Sequence, residues 1–195
     1  MTRIKLTQES VDFAIAEGTE IFNNSRSLQP GDTLQKKINN SMVGVFGQQA
    51  FLHGTGGRRV TKEECPHFGY DALCKNLDVR RYCGWSDCRS PGEDARCEIK
   101  VRPIENRKWI SFNDQMFKHA TRSAKAGLLD YVVFYGIQNI DFNSHEADVA
   151  FTGIIGPKVL ADSRMIYRRP SQYVRGDSFL NKNKIHDDGL GLILL

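Results

Sequence analysis

The chain lacks most of the segments that would assign a protein at a glance. None of its apolar runs approaches the ~20 residues needed to span a bilayer, so no membrane partner is expected. The opening Met1-Thr2-Arg3-Ile4-Lys5-Leu6 has no apolar signal core. The expectation is therefore a cytoplasmic protein, in a host's cytoplasm if a phage encodes it. The glycines of His53-Gly54-Thr55-Gly56-Gly57-Arg58-Arg59 have no Gly-Lys-Ser/Thr after them, and no strand is expected before them. That excludes a P-loop and a dinucleotide fingerprint. The segment reads as a flexible connection, with contact of Arg58 and Arg59 to phosphate as the lesser alternative. No serine sits in a nucleophile elbow, which disfavours a serine hydrolase, and neither an internal repeat nor a low-complexity tract is visible.

What is present fits one compact α/β domain of 195 residues, with 40% hydrophobic residues to build a core. It divides into an N-terminal helix and loop (1–32), a cysteine-rich hairpin insertion (74–97) and a basic C-terminal segment (158–195). The net charge of +4 permits a polyanionic partner without demanding one. Its distribution is more informative. Lys158, Arg164, Arg168, Arg169, Arg175, Lys182 and Lys184 face only Asp162 and Asp177 in the same stretch. A phosphate backbone is the natural partner of such a segment, with a solvated basic face as the competing reading. Nothing identifies a self-complementary face, although a homodimer is compatible with the chain.

Apolar periodicity predicts a helix over about 9–22 and a second capped by Thr33, with Ile38, Met42, Val45, Phe46 and Gln49 inward. Trp109–Phe112 reads as a short strand, followed by a helix from Asn113 or Asp114 to about Ala126 that Gly127 ends. The nearly continuous apolar run from Asp130 to Ile137 suits a central strand buried on both faces, and Ala147–Ile155 a further strand.

The chain is organised around Tyr70–Lys100. Both ends of this stretch read as short strands, one around Asp71 and one through Cys97-Glu98-Ile99-Lys100-Val101, with the turn-rich Ser90-Pro91-Gly92 between them. Alternation puts Glu98 and Lys100 on one face and Cys97, Ile99 and Val101 on the other. If the two strands pair, Asp71 joins Glu98 around one point. Two carboxylates with the Ile99 carbonyl suit Mg²⁺ or Mn²⁺, and Lys100 is placed to orient a water or stabilise charge on a phosphate.

Four of the five cysteines, Cys74, Cys83, Cys88 and Cys97, are separated by eight, four and eight residues, the pattern of a hairpin whose stems and tip each contribute a pair. Parity turns the stem thiols away from the carboxylates. Four thiolates suit a structural Zn²⁺, with Cys65 and His67 as alternative ligands and plain buried thiols as the competing reading. The tip carries Arg80, Arg81, Trp85 and Arg89, able to probe a DNA groove or stack on a base; a Trp covering the zinc site explains the same residues.

Asp71 followed by Glu98-Ile99-Lys100 resembles the PD-(D/E)xK nuclease superfamily, in the order and on the strand types that family uses. Gly44-Val45-Phe46-Gly47-Gln48-Gln49-Ala50-Phe51 is similar to its first core helix, and the later helix and the 130–135 strand match its order, so the resemblance covers roughly residues 35–140. Gln48 departs from the pattern, standing where the family commonly has a metal-binding Glu. The resemblance implies a restriction-endonuclease-like core, a central mixed sheet flanked by helices, and Mg²⁺-dependent hydrolysis of DNA, in double-stranded form, by Asp71, Glu98 and Lys100. It also implies a role in the site for Gln115, four residues before His119, and admits an iron–sulfur cluster at the cysteines. The alternatives are a zinc-stabilised nucleic-acid-binding protein with an inactive nuclease core, or a nuclease acting on RNA or branched DNA.

Overall fold

The computed structural model describes residues 1–24, 28, 30–61, 64, 70–75, 94–103, 109–111, 122–123, 126–155 and 173–175. Within them the chain forms a mixed six-stranded sheet with two helices on one side. In chain order the elements are β1 (Thr2–Lys5), α1 (Gln8–Asn24), α2 (Leu34–Thr55), β2 (Arg58–Arg59), β3 (Ala72–Lys75), β4 (Asp94–Pro103), β5 (Trp109–Ser111), β6 (Tyr131–Asp141), β7 (Glu146–Ile155) and β8 (Tyr173–Arg175). The sheet runs β1-β7-β6-β4-β3-β2, while β5 and β8 pair separately. All its pairings are antiparallel except β4 with β6 at the centre.

The centre is where the apolar sequence lies. Every residue of β6 from Tyr131 to Ile137 is buried, as expected of a strand covered on both faces. Its start is clamped to β4. The Asp130 carboxylate accepts from the Arg96 backbone N–H at 2.8 Å and from Arg96 Nε at 3.1 Å, and the Asp130 N–H donates to the Arg96 carbonyl at 2.9 Å.

Helix α2 begins as its sequence dictates: Thr33 caps it, its side chain accepting from the Lys36 N–H at 3.1 Å, and Gly56 ends it in the left-handed conformation at φ 63°. It buries Met42, Val45, Phe46 and Phe51. Gly47 lies where any Cβ would strike the Val101 side chain, so α2 rests on the face of β4 that carries Cys97, Ile99 and Val101. Gln49 ties the helix to the sheet edge, donating to the Lys5 carbonyl at 2.6 Å and accepting from the Thr7 N–H at 3.3 Å.

Two elements differ from expectation, and a third is described only at its end. Strand β1 pairs along β7, where Arg3 and Lys5 meet Glu146 and Asp148; its short alternation of charged and apolar residues is a weak signal on its own. The segment expected as a flexible connection is instead the end of α2 followed by edge strand β2. The described part of the expected 113–126 helix is its end: Arg122 and Ser123 are helical, Leu128 N–H donates to the Ser123 carbonyl at 2.8 Å, and Gly127 turns at φ 67°.

Helix α1 packs on α2 through Gly18, where an added Cβ would stand 2.6 Å from the Ile38 Cα. Backbone cannot yield as a flexible side chain can. Gly18→Ala should therefore destabilise the chain by about 1–3 kcal/mol in chemical denaturation, despite alanine's better helix propensity. A neutral or stabilising effect would mean that the helices do not approach this closely.

Candidate active site

The register of β3 against β4 builds the site. Ala72 stands opposite Cys97 and Cys74 opposite Ala95. Asp71 lies on the bend before β3, one residue beyond the paired register. The Asp71 N–H donates to the Cys97 carbonyl at 2.8 Å, and its Oδ2 accepts from the Ile99 N–H at 2.6 Å. The Asp71 carboxylate is close enough to Glu98 and Lys100 to feel both charges. Lys100, two residues after Glu98 and on the same face of β4, closes an ion pair with Glu98 Oε1.

The electrostatics follow from crowding these groups. Asp71 has its carboxyl pushed up to about 6, first by burial and further by the charges of Glu98 and Glu17, against the lowering effects of Lys100 and the Ile99 N–H. Glu98 is only 9% exposed. Its Oε1 is taken by Lys100, while its Oε2 is buried with no hydrogen-bond partner. A buried carboxylate oxygen without a partner is costly. Gln48, on α2, also has a buried side-chain oxygen without a partner. Its neighbour Gln49 is fully engaged by β1, so the two adjacent glutamines have different uses.

The residue types fit a hard divalent cation: two carboxylates, with backbone carbonyls on the same strands. Among the described residues no group of three His, Cys, Asp or Glu side chains could hold a metal, so such an ion would draw on carbonyl, amide or water oxygens beyond Asp71 and Glu98.

Sequence reasoning missed the surroundings of Asp71. Arg59 extends from β2, its guanidinium 4.4 Å from the centre of the Phe13 ring and its Nη2 3.5 Å from Ser10 Oγ on α1. Burial lowers its pKa, and the charges of Glu9, Glu17 and Asp71 oppose that. Arg58 points the other way and pairs with Glu64 at 2.8 Å. The spacing of Ser10, Phe13 and Glu17 at three and four residues was the available signal that one face of α1 meets this region.

The stem thiols come together: Cys74 Sγ and Cys97 Sγ are 3.8 Å apart, buried on the opposite face of the strands from Glu98. Gln115, Cys65, His67, Cys83, Cys88, Arg80, Arg81, Trp85, Arg89, Arg168 and Arg169 lie outside the described residues. No helix among the described residues is long and apolar enough to cross a membrane.

No family model, curated protein or solved structure matches the chain. The functional argument therefore rests on the residues themselves. Because folding raises the Asp71 pKa, the folded state disfavours its ionised form. The cost is absent below about pH 4, where folded and unfolded chains both carry the proton. It grows as pH rises and is complete above about 6. In metal-free buffer Asp71→Asn, which keeps an acceptor for the Ile99 N–H, should raise unfolding free energy at pH 8 by on the order of 1–3 kcal/mol and change it little at pH 4. Urea denaturation at the two pH values checks this; an equal effect at both would contradict the shift.

Proposed function

We propose that the chain is a metal-dependent endonuclease that hydrolyses DNA phosphodiester bonds by a PD-(D/E)xK mechanism. The observation that carries this reading is the charge coupling of Asp71 to Glu98 and Lys100, with Lys100 paired to Glu98 and the second Glu98 oxygen unpartnered.

Phosphodiester hydrolysis needs positioning and charge neutralisation more than covalent chemistry. When held by Asp71 and Glu98, Mg²⁺ or Mn²⁺ supplies Lewis-acid charge at the phosphate oxygens. Asp71 is fixed by its bond to the Ile99 N–H, so its carboxylate is oriented before anything binds. Glu98 keeps one oxygen for Lys100 and leaves the other free for the cation. Lys100 would hold its ammonium beside the attacking water, which gives its proton to solvent as its oxygen bonds to phosphorus and the P–O bond to the leaving oxygen breaks. The leaving oxygen takes a proton from solvent. The basic segment at 158–184 and the arginines of the cysteine-rich tip supply side chains of the right charge for the phosphates on either side.

Gln48 favours a second reading, in which the same core binds nucleic acid without cutting it, because an amide is a weaker cation ligand than a carboxylate. Nicking of supercoiled plasmid, run with Mg²⁺ and with chelator, separates the two. The wild-type chain should nick only with the metal. Lys100→Ala should lose at least about 100-fold in rate, the scale of removing one positioned charge-stabilising group, while keeping fold and DNA affinity. A folded Lys100→Ala chain with full activity would remove the assignment, and wild-type binding without nicking would favour the second reading. Parallel assays on RNA and branched DNA identify the substrate.

A further inference from the structure

The outermost strand of the sheet brings a second cation to the neighbourhood of Asp71. Strand β2 pairs with β3, Arg59 standing opposite Ala72, and the next residue, Val60, donates its N–H to the Asp71 carbonyl at 3.1 Å. Arg59 is thus carried on the backbone that flanks Asp71. Its guanidinium lies 4.4 Å from the centre of the Phe13 ring, and its Nη2 is 3.5 Å from Ser10 Oγ, so two residues of α1 fix its direction.

What this side chain lacks is an acceptor that matches it. A guanidinium carries five N–H donors in a planar fork. One of them has a hydroxyl at the outer limit of hydrogen-bond distance, and Nε is buried without a partner. Glu9, Glu17 and Asp71 act on Arg59 through their charge alone, and among the described residues no carboxylate is hydrogen-bonded to it. A side chain that only pinned α1 to the sheet edge would gain most from a bidentate carboxylate. Instead an aromatic face and a hydroxyl orient the fork and leave its donors uncommitted. The side chain is half-buried, so it remains open to a ligand from outside. A phosphodiester, with two unesterified oxygens sharing one negative charge, fits the fork as a carboxylate does. The local charge admits such an anion once a divalent cation is bound. Glu9, Glu17, Asp71 and Glu98 outnumber Arg59 and Lys100 by two, the charge that the ion restores.

We propose that Arg59 is a phosphate-binding residue of the site, its guanidinium taking the unesterified oxygens of a DNA phosphate next to the Asp71 and Glu98 carboxylates. That the phosphate belongs to DNA rests on the reading given under the proposed function. The contact itself does not require cleavage, since a chain that bound DNA without cutting it would make the same one.

Binding of a short double-stranded DNA in Mg²⁺, followed by fluorescence anisotropy over a range of KCl concentrations, tests this on the Lys100→Ala background, which leaves the DNA uncut during the titration. Adding Arg59→Gln should lower affinity by about 10- to 100-fold, the scale of one hydrogen-bonded contact to a charged group. It should also reduce the slope of log affinity against log salt by about 0.9, the share of one phosphate contact. A loosened α1 alone would leave that slope unchanged. A folded Arg59→Gln chain with the affinity and slope of its parent would overturn the inference, whether or not the wild-type chain nicks plasmid. A wild-type chain that never nicks, with the Arg59 effect on affinity and slope intact, would sink the hydrolytic reading and keep the phosphate contact. Modification of Arg59 by phenylglyoxal, read by mass spectrometry, needs no substitution at that position, so a variant that fails to fold leaves the test intact. Bound DNA should slow the modification, and equal rates with and without DNA would overturn the inference.

Discussion

One pairing register decides what this molecule can do. With Ala72 opposite Cys97, alternation sends Glu98 and Lys100 to one face of the strands and the thiols to the other, while Asp71, on the bend before β3, accepts from the Ile99 N–H. A slip of one residue would exchange the faces, driving Glu98 under α2 and presenting Cys97 where the carboxylate stands. The rest of the fold guards against that slip. Helix α2 lies on Ile99 and Val101 with Gly47 letting it come close, and Arg96 with Asp130 locks the other edge of β4 to the start of β6. The parallel β4–β6 pair, buried at the sheet's centre, supplies the rigid floor.

Rigidity at that position has an energetic cost. Two carboxylates are buried there, and Lys100 pairs with one of them. Burial raises the Asp71 pKa, Glu98 leaves an oxygen unsatisfied, and Gln48 on α2 leaves another. Local destabilisation of this kind, against well-satisfied surroundings such as Gln49 and Asp130, is what marks these residues as the candidate site. Lys100 offsets part of it, which is consistent with its position two residues from Glu98 on the same face.

Much of this was readable in the chain. The two helices, their caps at Thr33 and Gly56, the buried strand from Tyr131 and the shared face of Glu98 and Lys100 all follow from periodicity and local chemistry. The approach of Asp71 to Glu98 was legible only as a condition, because register depends on contacts between segments far apart in sequence. Strands β1 and β2 escaped notice for a related reason. Each is short, and each is extended because of its neighbour, β7 in one case and β3 in the other, rather than because of its own residues. The placement of Arg59 against Phe13 and Ser10 likewise needs the crossing of α1 over the sheet edge, which no local pattern encodes.

If Asp71 and Glu98 form one cation site, each should be indispensable to it. Mn²⁺ binding, followed by electron paramagnetic resonance on protein first freed of metal by chelator and buffer exchange, measures this without any appeal to catalysis. The wild-type chain should show a site that competes with Mg²⁺, and Asp71→Asn and Glu98→Gln should each abolish it. Unchanged Mn²⁺ binding in both variants would mean that the neighbouring carboxylates do not share an ion.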